Sequence, residues 1–405
     1  MKRLSGLVMV VICLVLPSLA QVSPPLDAKP GRSNAPARGQ FPTLIPRSPE
    51  EREATYRSLH RIILNVLVTD ASGRAVKGLK QEDFTLLDNQ QPQAIASFRA
   101  VLGGTPGVAT HVILMLDAMN NSSRGVNYER KEIEKFLRQN QGRLTYPTSI
   151  AILSGSGASV SQPSQNGERL IGDLQGLLGR VHGFSCSEEG LDKNMEYAMS
   201  VYGTDVLPSS GAGSQKAQAM ACQDQRFQLS VSALNRLATQ QLNVAGRAIL
   251  IWIGPGWPRL SDPGFRPDTA LIRQNFFAYL VELSTTLREA QVTLNAVSQP
   301  ELFRKAELQS DHDNVFFDGV PTQDQVTAGS LSLQALAHQS GGRIEEESKD
   351  IAREIGACIA DAESYYVLSY DSAPSALLNE HHSLNVKVSE AGLTVRTNTV
   401  YYALP

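Results

Sequence analysis

Two periodicities alternate along this chain. From Arg61 to Asp70 apolar and polar positions alternate, with Ile62, Leu64, Val66 and Val68 on one side, which predicts a half-buried strand. Ala71-Ser72-Gly73-Arg74 reads as a turn, and short strands are expected at Thr85–Leu87 and Ala94–Phe98. The period then changes. His111–Leu116, Ser149–Leu153, Arg247–Gly254 and Val292–Val297 are continuous apolar runs, the pattern of strands buried on both faces of a parallel sheet. Between them lie helical patterns at Val126–Asn140, Glu168–Val181, Asp192–Tyr202, Arg226–Leu242 and Asp268–Ala290. Leu207–Gly213 reads as a loop, and helices at Ser330–Ser340 and Ser348–Ser364 flank a short strand near Ile344. The tail returns to strands at Tyr365–Tyr370, Leu384–Val388, Leu393–Thr397 and Val400–Ala403.

The fold class expected is therefore α/β: a doubly wound, mostly parallel sheet flanked by a β-sandwich built from N- and C-terminal strands. Three or four N-terminal strands are too few to close a sandwich alone, so the α/β unit is expected to be inserted between its two halves. The alternative is two unconnected β elements. The boundaries expected are 1–20 signal peptide, 21–55 Pro-rich tether, 56–104 N-terminal sandwich part, 105–363 α/β domain and 364–405 C-terminal sandwich part.

The signal-peptide reading rests on Lys2 and Arg3, an uncharged apolar run from Leu4 to Leu16, and small residues at Ser18 and Ala20. Its loss removes two basic residues and no acid, which takes the formal charge from −3 to −5. Such a chain does not read as a nucleic-acid binder. No downstream stretch reaches ~18 apolar residues, so no transmembrane segment is expected in the mature chain, which is exported to the periplasm or secreted. Seven prolines between Gln21 and Glu50 mark the tether. Of the cysteines left after cleavage, Cys186 and Cys222 sit in polar, Gly/Ser-rich surroundings and are expected to form a disulfide. Cys358 shares a helical face with Ile351 and Ile355 and reads as a buried thiol.

Ligands of open α/β sheets bind at the carboxyl ends of the strands. Three loops qualify: Asp117-Ala118-Met119-Asn120-Asn121, Ser154-Gly155-Ser156-Gly157, and Gly254-Pro255-Gly256-Trp257-Pro258. An apolar strand ending in Asp117, followed by a polar loop and a helix, resembles the opening of a von Willebrand factor A (vWA) domain. The flanks VLVTDASGRAVKGLKQEDFTLLDNQQPQAIASF and YYVLSYDSAP…HHSLNVKVSEAGLTVRTNTVYYA resemble the acidobacterial-type vWA-related domain, and the likeness covers roughly residues 60–403. It implies a vWA-like fold and a Mg²⁺ site of the Asp-x-Ser-x-Ser type, with a Thr and a further Asp from two other loops. A hard cation needs such oxygens. Only Asp117 matches cleanly. Met119 replaces the first Ser with a poor ligand, Asn121 offers a carbonyl for the second, Ser164 is the stand-in for the Thr, and Gly254-Pro255-Gly256 occupies the third loop.

No metal or other cofactor is therefore expected, Mg²⁺ being the alternative, and Asp117 reads first as a cap on its own turn. Catalytic patterns such as H-E-x-x-H, G-x-S-x-G and the Walker loop are absent. Asp311-His312-Asp313 starts like a calcium loop and fails at Val315 and Phe316, and His381-His382 reads as a solvated pair at a hairpin start. The function expected is a non-enzymatic protein–protein interaction module with a degenerate metal-ion-dependent adhesion site. Its contact residues would be Met119, Asn120, Asn121 and Trp257, provided Met119 and Trp257 form an exposed patch; a Trp257 folded down as a lid on the core is the alternative. The alternatives are metal-dependent adhesion through Asp117 and Asn121, and a hydrolase with unrecognised groups.

Overall fold

The computed structural model describes residues 60–102, 109–181, 212–257, 270–299, 317–345, 348–403 and 405. All fall within one compact unit, Arg52–Pro405. The signal and tether expected at 1–55, the helix expected at 192–202 and the Asp311–Asp313 loop lie outside the described residues, and so does Cys186.

A mostly parallel sheet forms the centre. Its strands are β5 (Thr110–Asp117), β6 (Arg143–Ser154), β7 (Gly157–Val160), β8 (Ser164–Asn166), β9 (Arg247–Ile253), β10 (Val292–Val297) and β11 (Ile344–Glu345). Their order is β11-β10-β9-β5-β6-β7, with β8 also paired to β6. The pairs from β11 through β6 are parallel, and β7 and β8 run antiparallel on the β6 edge. The apolar runs become the innermost strands because helices cover both faces. On one face α1 (Ser123–Leu137), α2 (Gly167–Leu178) and α6 (Ile351–Ala360) bury Ile133, Leu137, Leu170, Ile351 and Ile355 against Leu114, Ile152 and Ile251. On the other, α3 (Ala212–Gln241), α4 (Ala270–Glu289) and α5 (Leu333–Gln339) bury Phe227, Leu234, Phe276 and Leu336 against Met115, Leu250 and Trp252.

The remaining strands interlock the two chain ends. β1 (Arg61–Thr69) pairs with β12 (Ser364–Asp371), which pairs with β4 (Ser97–Leu102), and β14 (Thr394–Arg396) adds to β1. In a second antiparallel sheet β13 (Glu380–Val388) lies between β15 (Val400–Ala403) and β2 (Phe84–Asp88), with β3 (Gln91–Gln93) at the edge. Leu64, Val66 and Tyr366 of one sheet meet Leu86, Val386 and Tyr401 of the other in a shared core. N- and C-terminal segments thus complete one another's sheets, and the α/β layers lie between them in sequence.

Two elements begin or run differently from the pattern. α1 starts at Ser123 because the Ser122 hydroxyl accepts the Gly125 N–H as its cap, and it ends early because Asn140, Gln141 and Gly142 turn left-handed. β6 starts six residues before the apolar run, at Arg143, and includes Pro147. That amino-terminal half pairs with the short β8 at an irregular register, a place where proline is tolerated. Ser154–Gly157 is the tight turn of the β6–β7 hairpin.

Candidate functional site

The parallel register sets the three expected loops side by side, with Leu153 of β6 level with Asp117. Asp117 ends β5, and the adjacent β9 ends at Ile253, opposite Leu116. Gly254 follows with φ of 136°, a conformation that suits glycine. A Cβ there would stand 2.7 Å from the Asp117 Cβ and 3.5 Å from Glu129 Oε2, so the position is closed to any side chain.

Asp117 is fully buried. Its Oδ1 accepts the backbone N–H of Met119 at 3.2 Å and of Asn120 at 2.9 Å, and the Asn120 side-chain amide at 3.2 Å. Its Oδ2 accepts the same amide at 2.9 Å and the Trp252 indole N–H at 3.1 Å. Asn120 Nδ2 also donates to Ser230 Oγ at 3.0 Å, which ties the loop to α3. Burial pushes the Asp117 carboxyl above its ordinary range against the pull of these donors.

Glu129 joins this cluster from α1. It is fully buried and accepts the Asn121 side-chain amide at 2.7 Å. Burial, and after it the neighbouring Asp117, raise its pKa to about 9. At neutral pH Glu129 is therefore a carboxylic acid. Among the described residues Glu129 Oε1, Asn120 Oδ1 and Asn121 Oδ1 are buried oxygens without a hydrogen-bond partner. A protonated Glu129 supplies a donor to a cluster otherwise rich in acceptors.

These residues do not fit the Mg²⁺ site that the resemblance implies. Both Asp117 oxygens already hold N–H donors, where a cation would need lone pairs. Gly254 brings no ligand. Ser164 pairs with Thr148, five residues before Leu153, the β6 residue level with Asp117. At about 3.3 Å per residue that places it roughly 16 Å along the strand. Its hydroxyl accepts the Asn166 N–H instead.

The expected apolar patch is also absent. Met119 and Trp257 are 2% and 4% exposed and belong to one core cluster. Trp257 stands edge-on to Trp252, with ring centroids 5.4 Å apart, and its indole donates to Leu331 O at 2.6 Å. It folds down because the polar tip of an indole finds a carbonyl there. Asn120 and Asn121 are half-buried and face Asp117 and Glu129. Beside them lies a cleft of about 560 Å³, walled by Asn121, Val126, Asn127, Arg130, Val181 and Arg226 among others.

Other candidates have structural duties. Ser154 Oγ contacts Ser156 Oγ at 2.9 Å and Gly157 O at 3.2 Å inside its hairpin. His381-His382 is not a solvated pair. His381 Nε2 lies 3.0 Å from Asp318 O, and His382 Nδ1 lies 2.7 Å from Asp88 Oδ1. Cys358 is buried and free, with its thiol pushed far up by burial, and Cys222 is not a free thiol. Among the described residues no group of three or more His, Cys, Asp or Glu is placed to hold a metal. None of their helices is long and apolar enough to cross a membrane.

No protein-family model and no curated protein matches the chain. Solved structures give distant likenesses. One is the human COPII-coat protein Sec24c, at 8% identity over 78% of this chain and 48% of that one, with a TM-score of 0.28. Another is the manganese-loaded Plasmodium vivax TRAP protein, at 6% identity over 74% of this chain and 96% of that one, with a TM-score of 0.28. A third is the pilus adhesin SpaC from Lactobacillus rhamnosus GG, at 8% identity over 81% and 49%, with a TM-score of 0.33. The chain spans about half the length of Sec24c and of SpaC. At these scores the likenesses carry no argument about function.

Proposed function

We propose that this chain is an exported, non-enzymatic protein-interaction module of the vWA-like type. Its binding face is the carboxyl end of the parallel sheet, and it works there without a metal. The observation that carries this reading is the locked Asp117 loop: Asn120, Met119 and Trp252 give N–H groups to the carboxylate that a cation-dependent site would leave open. A fixed loop beside an open cleft is a surface for recognition. The strongly perturbed carboxyls Asp117, Glu129 and Asp224 are all buried, which speaks against hydrolysis.

Export and the Cys186–Cys222 disulfide belong to the same proposal. Non-reducing peptide mapping of the secreted or periplasmic protein tests both, since it reports the mature N-terminus and the pairing together.

The functional test uses the purified chain as bait for exported proteins, in EDTA and again in millimolar Mg²⁺. The expected result is capture of a defined partner in EDTA, lost when Asn127 in the cleft is replaced by Trp and kept when the remote, exposed Lys387 becomes Glu. Capture only with Mg²⁺ would return the adhesion reading. Turnover of ester, amide or phosphate substrates by the bait would return the hydrolase.

A further inference from the structure

A separate cavity of about 980 Å³ lies where β13 and residues 395–399 meet the end of α5. It shares no lining residue with the cleft beside the Asp117 loop. Eight of its side chains are hydroxyls or amides, Thr327, Ser330, Ser383 and Asn385 among them. Two more are imidazoles, His338 and His381, which burial holds below their ordinary pKa and so neutral at physiological pH. Groups of these three kinds each donate and accept hydrogen bonds. The charged residues of the lining are Arg396 and the exposed Asp318.

Three lining residues carry buried polar atoms that have no hydrogen-bond partner among the described residues: Arg396 Nη1, Thr397 Oγ1 and Thr399 Oγ1. Thr397 is only 6% exposed. Their backbone is nonetheless fixed. Thr399 N donates to Gln339 O at 3.1 Å, and Thr399 O accepts the Leu384 N–H at 2.7 Å. Gly341, with φ of 78°, lies so close that a Cβ on it would stand 2.7 Å from the Thr397 carbonyl carbon. A buried polar group left unpaired costs stability, so three in one wall call for an explanation. Arg396 adds a charge argument. Its Nη2 donates to Asp361 Oδ2 at 2.7 Å. Arg343 already grips the same carboxylate as a fork, Nε to Oδ2 at 3.1 Å and Nη2 to Oδ1 at 2.9 Å. Two guanidiniums therefore share one carboxylate, and one arm of Arg396 is left over. The Arg396 side chain is 21% exposed, so an incoming group can reach it.

We propose that this cavity binds a sugar acid, its carboxylate paired with Arg396 and its hydroxyls with Thr397, Thr399 and the polar wall around them. The site is distinct from the sheet's carboxyl face and does not rest on that reading. A guanidinium arm only donates, so it calls for a group that only accepts, which a carboxylate is. Hydroxyl, amide and imidazole groups give and take at once, and the ligand groups that answer them in kind are hydroxyls. A phosphate would bring a second negative charge, which one shared guanidinium beside Asp318 does not balance. The volume lies in the range of small-molecule sites, which run to about 1,000 Å³.

The probes are galacturonate, trigalacturonate, galactose and glutarate, each titrated at millimolar concentration into the full chain by calorimetry at neutral pH. Galacturonate is expected to bind. Galactose keeps its hydroxyls without the carboxylate and glutarate keeps carboxylates without the hydroxyls, and each should bind at least about tenfold more weakly. The Thr397→Val, Thr399→Val double variant keeps the shape of both side chains and removes both unpaired hydroxyls. It should weaken galacturonate at least about tenfold while its melting temperature stays level or rises. Arg396→Gln should erase the preference for galacturonate over galactose. Lys131→Gln, at an exposed lysine of α1 that lines neither cavity, should bind like the wild type. Tighter binding of trigalacturonate would support the proposal with an acidic polysaccharide as the source, and equal binding would support it with the free sugar acid. No heat from either galacturonate, galactose or glutarate binding as tightly as galacturonate, or unchanged binding by a folded double variant would each overturn it.

Discussion

The Trp252 indole N–H donates to Asp117 Oδ2 at 3.1 Å, from a neighbouring strand and with both side chains fully buried. An indole on β9 therefore does for Asp117 part of what a cation would do. It supplies positive charge density to a buried carboxylate without bringing in an ion or its water.

Removing the carboxylate should cost stability whether or not metal is present. In Asp117→Ala the Trp252 indole, the Asn120 amide and two backbone N–H groups lose their acceptor in a dry site. Unsatisfied buried donors cost about 1–3 kcal/mol each, and partial relaxation brings the sum to about 3 kcal/mol. Urea unfolding in EDTA and in millimolar Mg²⁺ should give the same loss. A wild-type protein stabilised by Mg²⁺ and a variant that is not would show that the site takes a cation after all.

Glu129 makes a prediction of opposite sign. Its pKa is raised from 4.5 to about 9 in the folded chain. Between those values the folded state keeps a proton that the unfolded state has lost, so this group's effect is falling stability as pH rises. Glu129→Gln, neutral at every pH and nearly the same shape, should remove that slope. At pH 8 the variant should be more stable than the wild type by at least about 1.4 kcal/mol, the worth of one pH unit. At pH 4 the two should unfold alike. A variant less stable at pH 8 would mean that the Glu129 charge is used.

How far the sequence foretold this site depends on the kind of signal each residue carries. The buried strands were legible because runs such as Ile249–Ile253 have no other place to go. The pairing of β1 with β12 followed from the same logic, since neither chain end held enough strands to close a sheet. The role of Trp252 was hidden because a tryptophan in an apolar run reads as core, which it also is. Glu129 had a visible signal. Glu129, Ile133, Phe136 and Leu137 follow helical spacing, and an acid on the buried face of α1 is out of pattern. Trp257 stayed ambiguous because Gly256 and Pro258 around it fit an exposed contact and a lid folded onto the core alike. Only the tertiary fold brings Leu331 O to its N–H.

Gly254 should be intolerant of change. Its φ of 136° strains any other residue, and a Cβ would meet the Asp117 Cβ at 2.7 Å. Gly254→Ala is expected to destabilise by about 2–4 kcal/mol in urea. An aspartate there, the residue the vWA pattern would place in that loop, should be worse and should not create Mg²⁺ binding by calorimetry. Cation-dependent stabilisation of Gly254→Asp would show that the loop can open to a ligand set.

The sandwich should have its own dependence on pH. Asp88 on β2 accepts His382 Nδ1 at 2.7 Å, Tyr401 at 2.7 Å and Tyr370 at 2.9 Å, joining three strands of one sheet to β12 of the other. The bond to Asp88 raises the His382 pKa, and His382 and the tyrosines pull Asp88 down against its burial. A raised histidine contributes stability that is complete below its unfolded value, 6.5, and is lost as pH rises through the folded value. A depressed aspartate contributes stability above 3.8 that is lost as pH falls through its own folded value. The pair should therefore hold best between about pH 4 and 6.5. His382→Gln, with an amide able to donate to Asp88, should lower the melting temperature at pH 5.5 by more than at pH 8.5. The difference should narrow as the wild-type histidine loses its proton. Equal losses at the two pH values would mean that His382 is neutral in the folded protein and that the tyrosines alone keep Asp88 charged.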